Sequence, residues 1–374
     1  MKPQQWLLPY YKRQACEHLG RFGAPSVVST ARQKSWFSSN QCTANPAVHR
    51  YRSLQVLHDA DIDHFRETCF TPELPAVLPR RHFRSLPAFD RWFRPSSTSN
   101  GLQLNTEYLE QHAADSAVPL ELTQLPAELS TPGKNSSGGN EPQFRQLHAP
   151  LSLFLQWMRT AETQTQSTRL YLAQCQLLDL PQVLRDDFPT PDLVARAGKG
   201  DVYDVNVWIG RPPTYTPLHR DPNPNLFVQL AGKKVVRLLA PDDGLALFAS
   251  VRRRLGKSAD RGAAVFRGED MMQGQERQLL ERAVWGDPDL KMKTTGAAHD
   301  SEGYEACLDS GDGLFIPKGW WHSIKGIGEG DTASVSLVCP FFYANYKDFH
   351  GLLICIDIRS IGGSGNVRIS SNLK

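Results

Sequence analysis

Three residues, His219, Asp221 and His322, have the types and spacing that suit a metal ion. His219 and Asp221 are separated by one residue in the segment Thr-Pro-Leu-His-Arg-Asp. Successive side chains of a β-strand alternate between its faces, so a strand here points both side chains the same way. His322 follows far downstream, at the end of the run Leu-Phe-Ile-Pro-Lys-Gly-Trp-Trp-His. Two histidines and one carboxylate that leave open coordination positions are the ligand set of non-haem Fe(II) sites.

A lysine at the start of an apolar strand suggests an anion-binding site. Lys234 precedes the run Val-Val-Arg-Leu-Leu, and strand alternation places it on one face with Val236 and Leu238. A charged amine that is buried without a partner costs free energy. The pattern therefore predicts a bound anion, such as a carboxylate, beside Lys234.

These segments resemble the JmjC (cupin-like) family of Fe(II)- and 2-oxoglutarate-dependent oxygenases, in its hydroxylase-like branch, from about residue 59 to residue 346. The resemblance implies a mainly β fold with flanking helices around a double-stranded β-helix (jelly-roll or cupin) core. It implies that His219, Asp221 and His322 are the iron ligands. The implied cofactors are Fe(II), 2-oxoglutarate and O2.

The resemblance also implies a set of residues that contact the co-substrate. The family lysine that pairs with the far carboxylate of 2-oxoglutarate matches Lys234. Three further positions match family residues at this site: Thr216, Tyr171 and Asn225. Ser336 stands where the asparaginyl-hydroxylase branch has a second asparagine.

The favoured function is hydroxylation of a side chain in a protein substrate. Many histone demethylases of the family have glutamate where this chain has Asp221, and no zinc-finger or chromatin-reader motif is recognisable in the sequence. Hydroxylation of a tRNA base, with RNA as the partner, and demethylation of histone lysine stay open as alternatives. Two functions of other classes also stay open: a non-catalytic cupin-like binding module and a zinc-dependent hydrolase.

Strands must position these residues, and the apolar pattern predicts most of them. Alternating or continuous apolar runs predict strands at 169–172, 202–209, 312–317 and 333–339. The runs 226–230 and 235–239 predict two strands joined as a hairpin across Ala231-Gly232-Lys233. Helical spacing predicts helices at 61–69 and 148–161, an amphipathic segment at 86–93, and a helix around Leu279, Leu280 and Val284.

Composition divides the chain into a domain at 59–346 and two flanking segments. Residues 1–50 are rich in arginine and serine and have one acidic residue, Glu17, which is typical of a mitochondrial leader or of a disordered arm. The expected location is mitochondrial in the first case and cytoplasmic or nuclear in the second. Residues 347–374 form an irregular tail unlike the dimer-forming helices of some relatives, so the oligomeric state is left open.

Two inserts are predicted inside the domain. One is a mobile insert at about 95–145, which includes the Ser- and Gly-rich loop at 130–140. The other is a charged insert at about 250–300. The pair His299-Asp300 inside it is predicted to form a turn and not a metal site.

Composition limits the choice of partners. The net charge of +3 is too small to predict nucleic-acid binding by itself. Two clusters of basic and aromatic residues, at 80–94 and 252–257, fit either solvated surface charge or a patch that attracts an anionic or RNA substrate. Seven scattered cysteines without a Cys-x-x-Cys pair indicate a reducing compartment. No apolar run approaches the ~18 residues of a membrane helix, so no membrane partner is expected.

Overall fold

The computed structural model describes residues 51–96, 101–124, 143–164, 166–198, 204–258, 269–286 and 303–338. These ranges cover most of the domain predicted at 59–346. Four predicted features lie outside the described residues and stay predictions: the leader or arm at 1–50, the loop at 130–140, the His299-Asp300 turn and the tail at 347–374.

Fifteen strands form the framework of the described residues. Their bounds are β1 Tyr51–Ser53, β2 Ala76–Val77, β3 Phe93–Pro95, β4 Leu102–Leu104, β5 Ala117–Gln124, β6 Gln143–Pro150, β7 Thr168–Gln176, β8 Asp204–Gly210, β9 Thr214–Arg220, β10 Asn225–Ala231, β11 Lys233–Leu239, β12 Gly303–Leu308, β13 Gly313–Ile316, β14 Trp321–Ile327 and β15 Thr332–Val338. They include the four single strands predicted from the apolar pattern.

The strands build two sheets and one short hairpin. The smaller sheet has the order β1-β12-β11-β14-β9, the larger sheet has the order β2-β13-β10-β15-β8-β7-β5-β6, and β3 pairs with β4. Phe227 and Leu314 of the larger sheet pack in one apolar cluster with Val236 and Leu238 of the smaller sheet. The two sheets therefore enclose a common core, which is the predicted jelly-roll architecture.

β10 and β11 do not form the predicted hairpin. β10 pairs with β13 and β15, whereas β11 pairs with β12 and β14, so the turn at Gly232 carries the chain from one sheet to the other. Gly232 has a φ of +69°, and a Cβ atom there would lie 2.6 Å from the carbonyl oxygen of Asp331. All seven residues of β10 are buried, and such an apolar run fits a hairpin and a crossover between sheets equally well.

Nine helices flank the sheets in the part of the chain that the structure describes. Their bounds are α1 Ile62–Phe65, α2 Pro87–Arg91, α3 Thr106–Ala113, α4 Leu151–Thr163, α5 Gln182–Asp186, α6 Asp192–Ala197, α7 Pro241–Arg254, α8 Glu269–Met272 and α9 Gly274–Trp285. The predicted helices at 61–69 and 148–161 correspond to α1 with the π-helical turn Arg66–Phe70 and to α4. None of the helices in the described ranges is long and apolar enough to cross a membrane.

The mobile insert predicted at about 95–145 contains regular structure. β4, α3 and β5 fall inside it, and β5 pairs with both β6 and β7. Val118 and Leu120 of β5 are buried in the main core cluster. The prediction of a mobile insert was therefore wrong for residues 102–124. It relied on the average composition of 95–145, which is dominated by the polar stretches on either side of these residues.

The charged insert predicted at about 250–300 is partly helical. It begins inside α7 and includes α8 and α9, and α9 confirms the helix predicted around Leu280. Phe248 of α7 and Leu280 and Val284 of α9 pack in one cluster with Trp321 of β14. The insert thus covers the face of the smaller sheet that carries Trp321, next to His322.

Most of the arginines in the two basic clusters form ion pairs with carboxylates. The pairs at 80–94 are Arg80–Asp312, Arg84–Asp90, Arg91–Asp187 and Arg94–Glu107. In the second cluster Arg252 is buried, and both Arg252 and Lys257 contact Glu276. These contacts favour a structural role for the clusters over an anion-binding patch.

Candidate metal centre and co-substrate pocket

The two predicted histidine ligands face each other on neighbouring strands. β9 and β14 are antiparallel, and His219 is the direct partner of His322 in the ladder. Their ring centroids are 4.2 Å apart. Asp221 follows the end of β9, and its carboxylate oxygens lie 3.9 Å from Nε2 of His219 and 3.7 Å from Nε2 of His322. The three side chains therefore meet at one point.

Backbone carbonyls orient both imidazole rings toward this point. Nδ1 of His219 lies 2.8 Å from the carbonyl oxygen of Pro217, and Nδ1 of His322 lies 3.2 Å from the carbonyl oxygen of Trp320. A carbonyl oxygen only accepts hydrogen bonds, so we assign the proton of each neutral ring to Nδ1. Each Nε2 then carries a lone pair on the side of the ring that faces Asp221.

Burial keeps His219 in the form that binds a metal. The side chain is almost fully buried, and this burial, together with the nearby His322, lowers the pKa of His219 to about 4 against the opposing effect of Asp221. A neutral imidazole is the metal-binding form of histidine. His219 can therefore bind a metal ion at neutral pH.

Fe(II) fits this set of donors. One nitrogen of each histidine and one oxygen of Asp221 lie within 4.8 Å of one another. Bonds of about 2.1 Å from a metal ion reach donors up to about 4.2 Å apart, so only small side-chain movements are needed. Two histidines and a carboxylate leave positions of an octahedral ion open for further ligands.

Lys234 places an amine inside the barrel, where the two sheets meet. The residue is 3% exposed, and its Nζ donates to Oγ of Ser334 at 2.7 Å and to Oη of Tyr171 at 3.3 Å. Burial lowers the pKa of Lys234 to about 7. Among the described residues no carboxylate forms an ion pair with this amine. A bound carboxylate would favour the charged form of Lys234, so the pocket suits an anion.

Strand β7 brings Tyr171 to the same pocket. A Cβ atom at Gly210 of β8 would lie 2.4 Å from the ring of Tyr171, so the glycine makes room for the ring. Burial raises the pKa of the Tyr171 hydroxyl, and the carboxylate of Glu121 raises it further. The hydroxyl therefore keeps its proton and can donate a hydrogen bond to a carboxylate.

Asn225 contacts the candidate metal centre directly. Its Nδ2 lies 3.3 Å from Oδ2 of Asp221. Its Oδ1 is buried and has no hydrogen-bond partner in the described part of the protein. Asn225 is therefore placed to hold the carboxylate of Asp221 in position.

The other two predicted co-substrate residues lie on strands that line the barrel. Thr216 is on β9, and its carbonyl oxygen accepts a hydrogen bond from the hydroxyl of Ser323. Ser336 is on β15, where it pairs with Phe227 of β10 and Asn206 of β8. The hydrogen bonds of Lys234 described above involve neither of them.

The sequence reasoning missed Ser334, although a signal for it exists. On β15 the core residues Ala333, Val335 and Leu337 alternate with polar residues. The polar residues Ser334 and Ser336 are nevertheless buried. A polar face on a buried strand indicates a polar site inside the barrel.

Glu121 was missed because β5 was not predicted as a core strand. Glu121 lies directly opposite Tyr171 in the β5–β7 ladder and is 6% exposed. Burial raises its pKa to about 7, although Nε2 of Gln146 donates a hydrogen bond to it at 3.4 Å. The wall of the pocket therefore contains a second buried titratable group.

Comparison with known proteins agrees with this geometry. The family described as a cupin-like domain matches residues 65–349, which include both strands that carry the histidines. The chain belongs to the JmjC (cupin-like) oxygenase family. Members of the JmjC family use Fe(II) and 2-oxoglutarate, and the converging His-Asp-His set of this chain suits that iron.

Three curated JmjC relatives illustrate the similarity. Lysine-specific demethylase 8 of Danio rerio is 26% identical over 294 residues, which are 77% of this chain and 59% of the relative. Lysine-specific demethylase JMJ30 of Arabidopsis thaliana is 27% identical over 239 residues, 64% of this chain and 45% of the relative. Jumonji C domain-containing protein 5 of Drosophila melanogaster is 26% identical over 278 residues, 74% of this chain and 57% of the relative. The chain thus spans about half the length of the curated relatives it matches.

Proposed function

We propose that the chain is an Fe(II)- and 2-oxoglutarate-dependent dioxygenase that hydroxylates a side chain of a protein substrate. The observation that carries the proposal is the buried amine of Lys234, which has hydroxyl partners and no carboxylate partner among the described residues. It lies in the same barrel as the converging His219, Asp221 and His322. A diacid co-substrate has two carboxylates, so it could contact both the metal centre and this amine.

In the proposed mechanism, His219, Asp221 and His322 would hold the iron. The bound iron and 2-oxoglutarate supply the oxidising chemistry, in which the diacid becomes succinate and CO2 and one oxygen atom of O2 enters the substrate. The carbonyl oxygens of Pro217 and Trp320 keep both rings in the required tautomer. Asn225 would fix the carboxylate of Asp221.

Lys234 and its neighbours would bind and orient the co-substrate. The ammonium of Lys234 would pair with the far carboxylate, and the hydroxyl of Tyr171 would donate a hydrogen bond to it. Thr216 and Ser336 are retained as proposed contacts of the co-substrate, as the family resemblance implies. Burial of Lys234 excludes water, which strengthens the ion pair with the ligand.

Two observations bear on the choice between hydroxylation and demethylation. Asp221 supports hydroxylation, because many histone demethylases of the family have glutamate there. The names of the relatives from Danio rerio and Arabidopsis thaliana favour lysine demethylation, which is the second candidate function. RNA is less supported as a substrate, since most arginines of the basic clusters pair with acidic side chains.

The proposal is tested with the full chain, Fe(II), ascorbate and 2-oxoglutarate. We expect succinate to form, and His219→Ala and Asp221→Ala to abolish it. Candidate proteins and peptides are then incubated with the enzyme and analysed by mass spectrometry. Gain of one oxygen atom supports hydroxylation, whereas loss of a methyl group with release of formaldehyde supports demethylation. Absence of succinate, in an assay where a known relative forms it, contradicts the dioxygenase assignment.

A further inference from the structure

A second group of metal-binding side chains lies at the start of α1, outside the proposed oxygenase site. Nε2 of His58 lies 2.7 Å from Oδ2 of Asp59, and Nδ1 of His64 lies 2.9 Å from Oδ1 of the same carboxylate. The centroids of the two imidazole rings are 4.6 Å apart. One donor atom from each of the three residues lies within 4.8 Å of the others. Two imidazole nitrogens thus reach one carboxylate through its two oxygens.

The backbone holds this group in place without any ion. Asp61 caps α1, and its carboxylate accepts hydrogen bonds from the backbone N–H groups of Asp63 and His64. The backbone N–H of Asp61 donates to Oδ1 of Asp59 at 3.0 Å. On the other side, the N–H of Leu57 donates to the carbonyl oxygen of Val77 at 2.8 Å. The donors are therefore partly pre-organised, which lowers the entropic cost of binding an ion.

We propose that His58, Asp59 and His64 form a binding site for a late first-row divalent metal ion, with Zn²⁺ as the best fit. Imidazole nitrogens combined with a carboxylate suit Zn²⁺ and its neighbours, whereas Mg²⁺ and Ca²⁺ take oxygen ligands. Each histidine would bind the ion through the nitrogen that now faces Asp59, and the proton on that nitrogen would move to the other ring nitrogen or to solvent. Bonds of about 2.0 to 2.2 Å at tetrahedral angles place donors about 3.3 to 3.6 Å apart, so each nitrogen must move away from the Asp59 carboxylate by less than about 1 Å.

The charge and exposure of the group agree with this assignment. Asp59 contributes a carboxylate, which supplies negative charge to a divalent ion at neutral pH. The His58 side chain is 77% exposed and that of Asp59 is 40% exposed, so an ion can reach the site from solvent. Three protein ligands leave the fourth position of a tetrahedral ion to water.

The proposed site is independent of the oxygenase site. The two share no residue, and the histidines of the oxygenase site are buried, whereas His58 is exposed. A metal ion at the new site would link His58 and Asp59, which precede α1, to His64, the third residue of α1. Because the ion would bind the folded state and not the unfolded state, it would raise the melting temperature.

The test is the stoichiometry of Zn²⁺ binding to the metal-free full chain. The wild type should bind one equivalent more than His58→Gln/His64→Gln. The same difference should persist when His219→Gln/His322→Gln is the parent, which separates this site from the proposed oxygenase site. His148→Gln, which changes an exposed histidine on β6, is the matched control and should bind as the wild type does. Equal stoichiometry in the wild type and in His58→Gln/His64→Gln overturns the proposal.

A second variant decides the matter if the double variant does not fold. Asp59→Asn keeps the shape of the side chain and removes its charge, and it should weaken Zn²⁺ binding at this site at least about tenfold. Unchanged affinity in Asp59→Asn overturns the proposal as well. Mg²⁺ should neither compete with Zn²⁺ nor raise the melting temperature, and formation of succinate by folded His58→Gln/His64→Gln should equal that of the wild type.

Discussion

The amine of Lys234 lies 2.7 Å from the hydroxyl of Ser334, although the two residues are 100 positions apart in the chain. Lys234 belongs to β11 of the smaller sheet and Ser334 to β15 of the larger sheet. The contact therefore crosses the interior of the barrel and marks the place where the proposed co-substrate would bind.

Replacement of Lys234 should change ligand affinity and protein stability in opposite directions. Lys234→Met removes the cation that pairs with the far carboxylate, so 2-oxoglutarate should bind roughly 30- to 700-fold more weakly, or about 2 to 4 kcal/mol. The ligand-free variant should be at least as stable as the wild type, because a buried, unpaired amine is replaced by an apolar chain. Calorimetric titration and urea unfolding measure the two effects.

Lys233→Met is the matched control for this variant. Lys233 is the adjacent residue, its side chain is 46% exposed, and it pairs with Asp309 at the surface. Its replacement should leave the affinity for 2-oxoglutarate within about twofold of the wild type, as expected for a surface pair. A comparable loss of affinity in both variants would contradict the role of Lys234.

Binding of 2-oxoglutarate should be linked to proton uptake by Lys234. The pKa of Lys234 is lowered from 10.5 to about 7 in the ligand-free protein, and a bound carboxylate raises it again. Above pH 7 the amine must take up a proton when the ligand binds, so affinity should fall as pH rises, by about tenfold per pH unit at most. Titration at pH 8 in two buffers of different ionisation enthalpy measures this uptake, and equal apparent enthalpies would contradict it.

The lowered pKa of Lys234 also determines how the stability of the protein should depend on pH. Between pH 7 and 10.5 the unfolded chain keeps a proton on Lys234 that the folded protein has lost. The unfolded state therefore binds more protons, so the contribution of Lys234 to the free energy of unfolding should rise with pH across this range. Comparing the pH dependence of unfolding in the wild type and Lys234→Met isolates this contribution.

Ser334 and Ser336 should differ in their effect on co-substrate binding. They lie two positions apart on β15, and Ser334 is the one that accepts a hydrogen bond from Lys234. Ser334→Ala should weaken 2-oxoglutarate binding about 2- to 10-fold, the effect of one hydrogen bond. Ser336→Ala should change it less than Ser334→Ala does. A larger effect of Ser336→Ala would instead favour the position that the family resemblance implies.

Asn225 should affect metal affinity through Asp221. Asn225→Leu removes the donor that lies 3.3 Å from the Asp221 carboxylate, so Fe(II) should bind about 10- to 100-fold more weakly. Asn206→Leu is a suitable control, because Nδ2 of Asn206 donates to Asp204 and not to a proposed ligand. Iron affinity is measured by competition with a chromophoric chelator. Equal losses in the two variants would point to a general packing defect.

Gly244→Ala should destabilise the protein although it favours a helix. The helical preference for alanine over glycine is about 0.5 to 1 kcal/mol. A Cβ atom at Gly244 of α7 would lie 2.1 Å from the Trp321 ring, and overpacking of this kind costs about 1 to 3 kcal/mol. The clash should therefore prevail. Urea unfolding tests the sign, and a more stable variant would show that Trp321 can move away.

The candidate metal ligands could be predicted from the sequence because their signals are local. His219 and Asp221 are two positions apart, a spacing that places both side chains on one face of an extended segment, and a second apolar run ends in His322. The burial of Lys234 was also predictable, since it shares a strand face with apolar residues. In contrast, Ser334 and Glu121 were missed, because a serine or glutamate in a strand is most often exposed. The polar face of β15 indicates a polar site only once that strand is known to be buried.

The sequence alone determined which residues can bind a metal and an anion, because side-chain type and strand alternation are properties of short segments. The tertiary structure decided which of these residues meet. The turn at Gly232 transfers the chain between sheets, and this crossover allows Lys234 to face Ser334 and Tyr171 across the barrel. Apolar runs are compatible with several pairings, and only the packing of both sheets around one core selects among them.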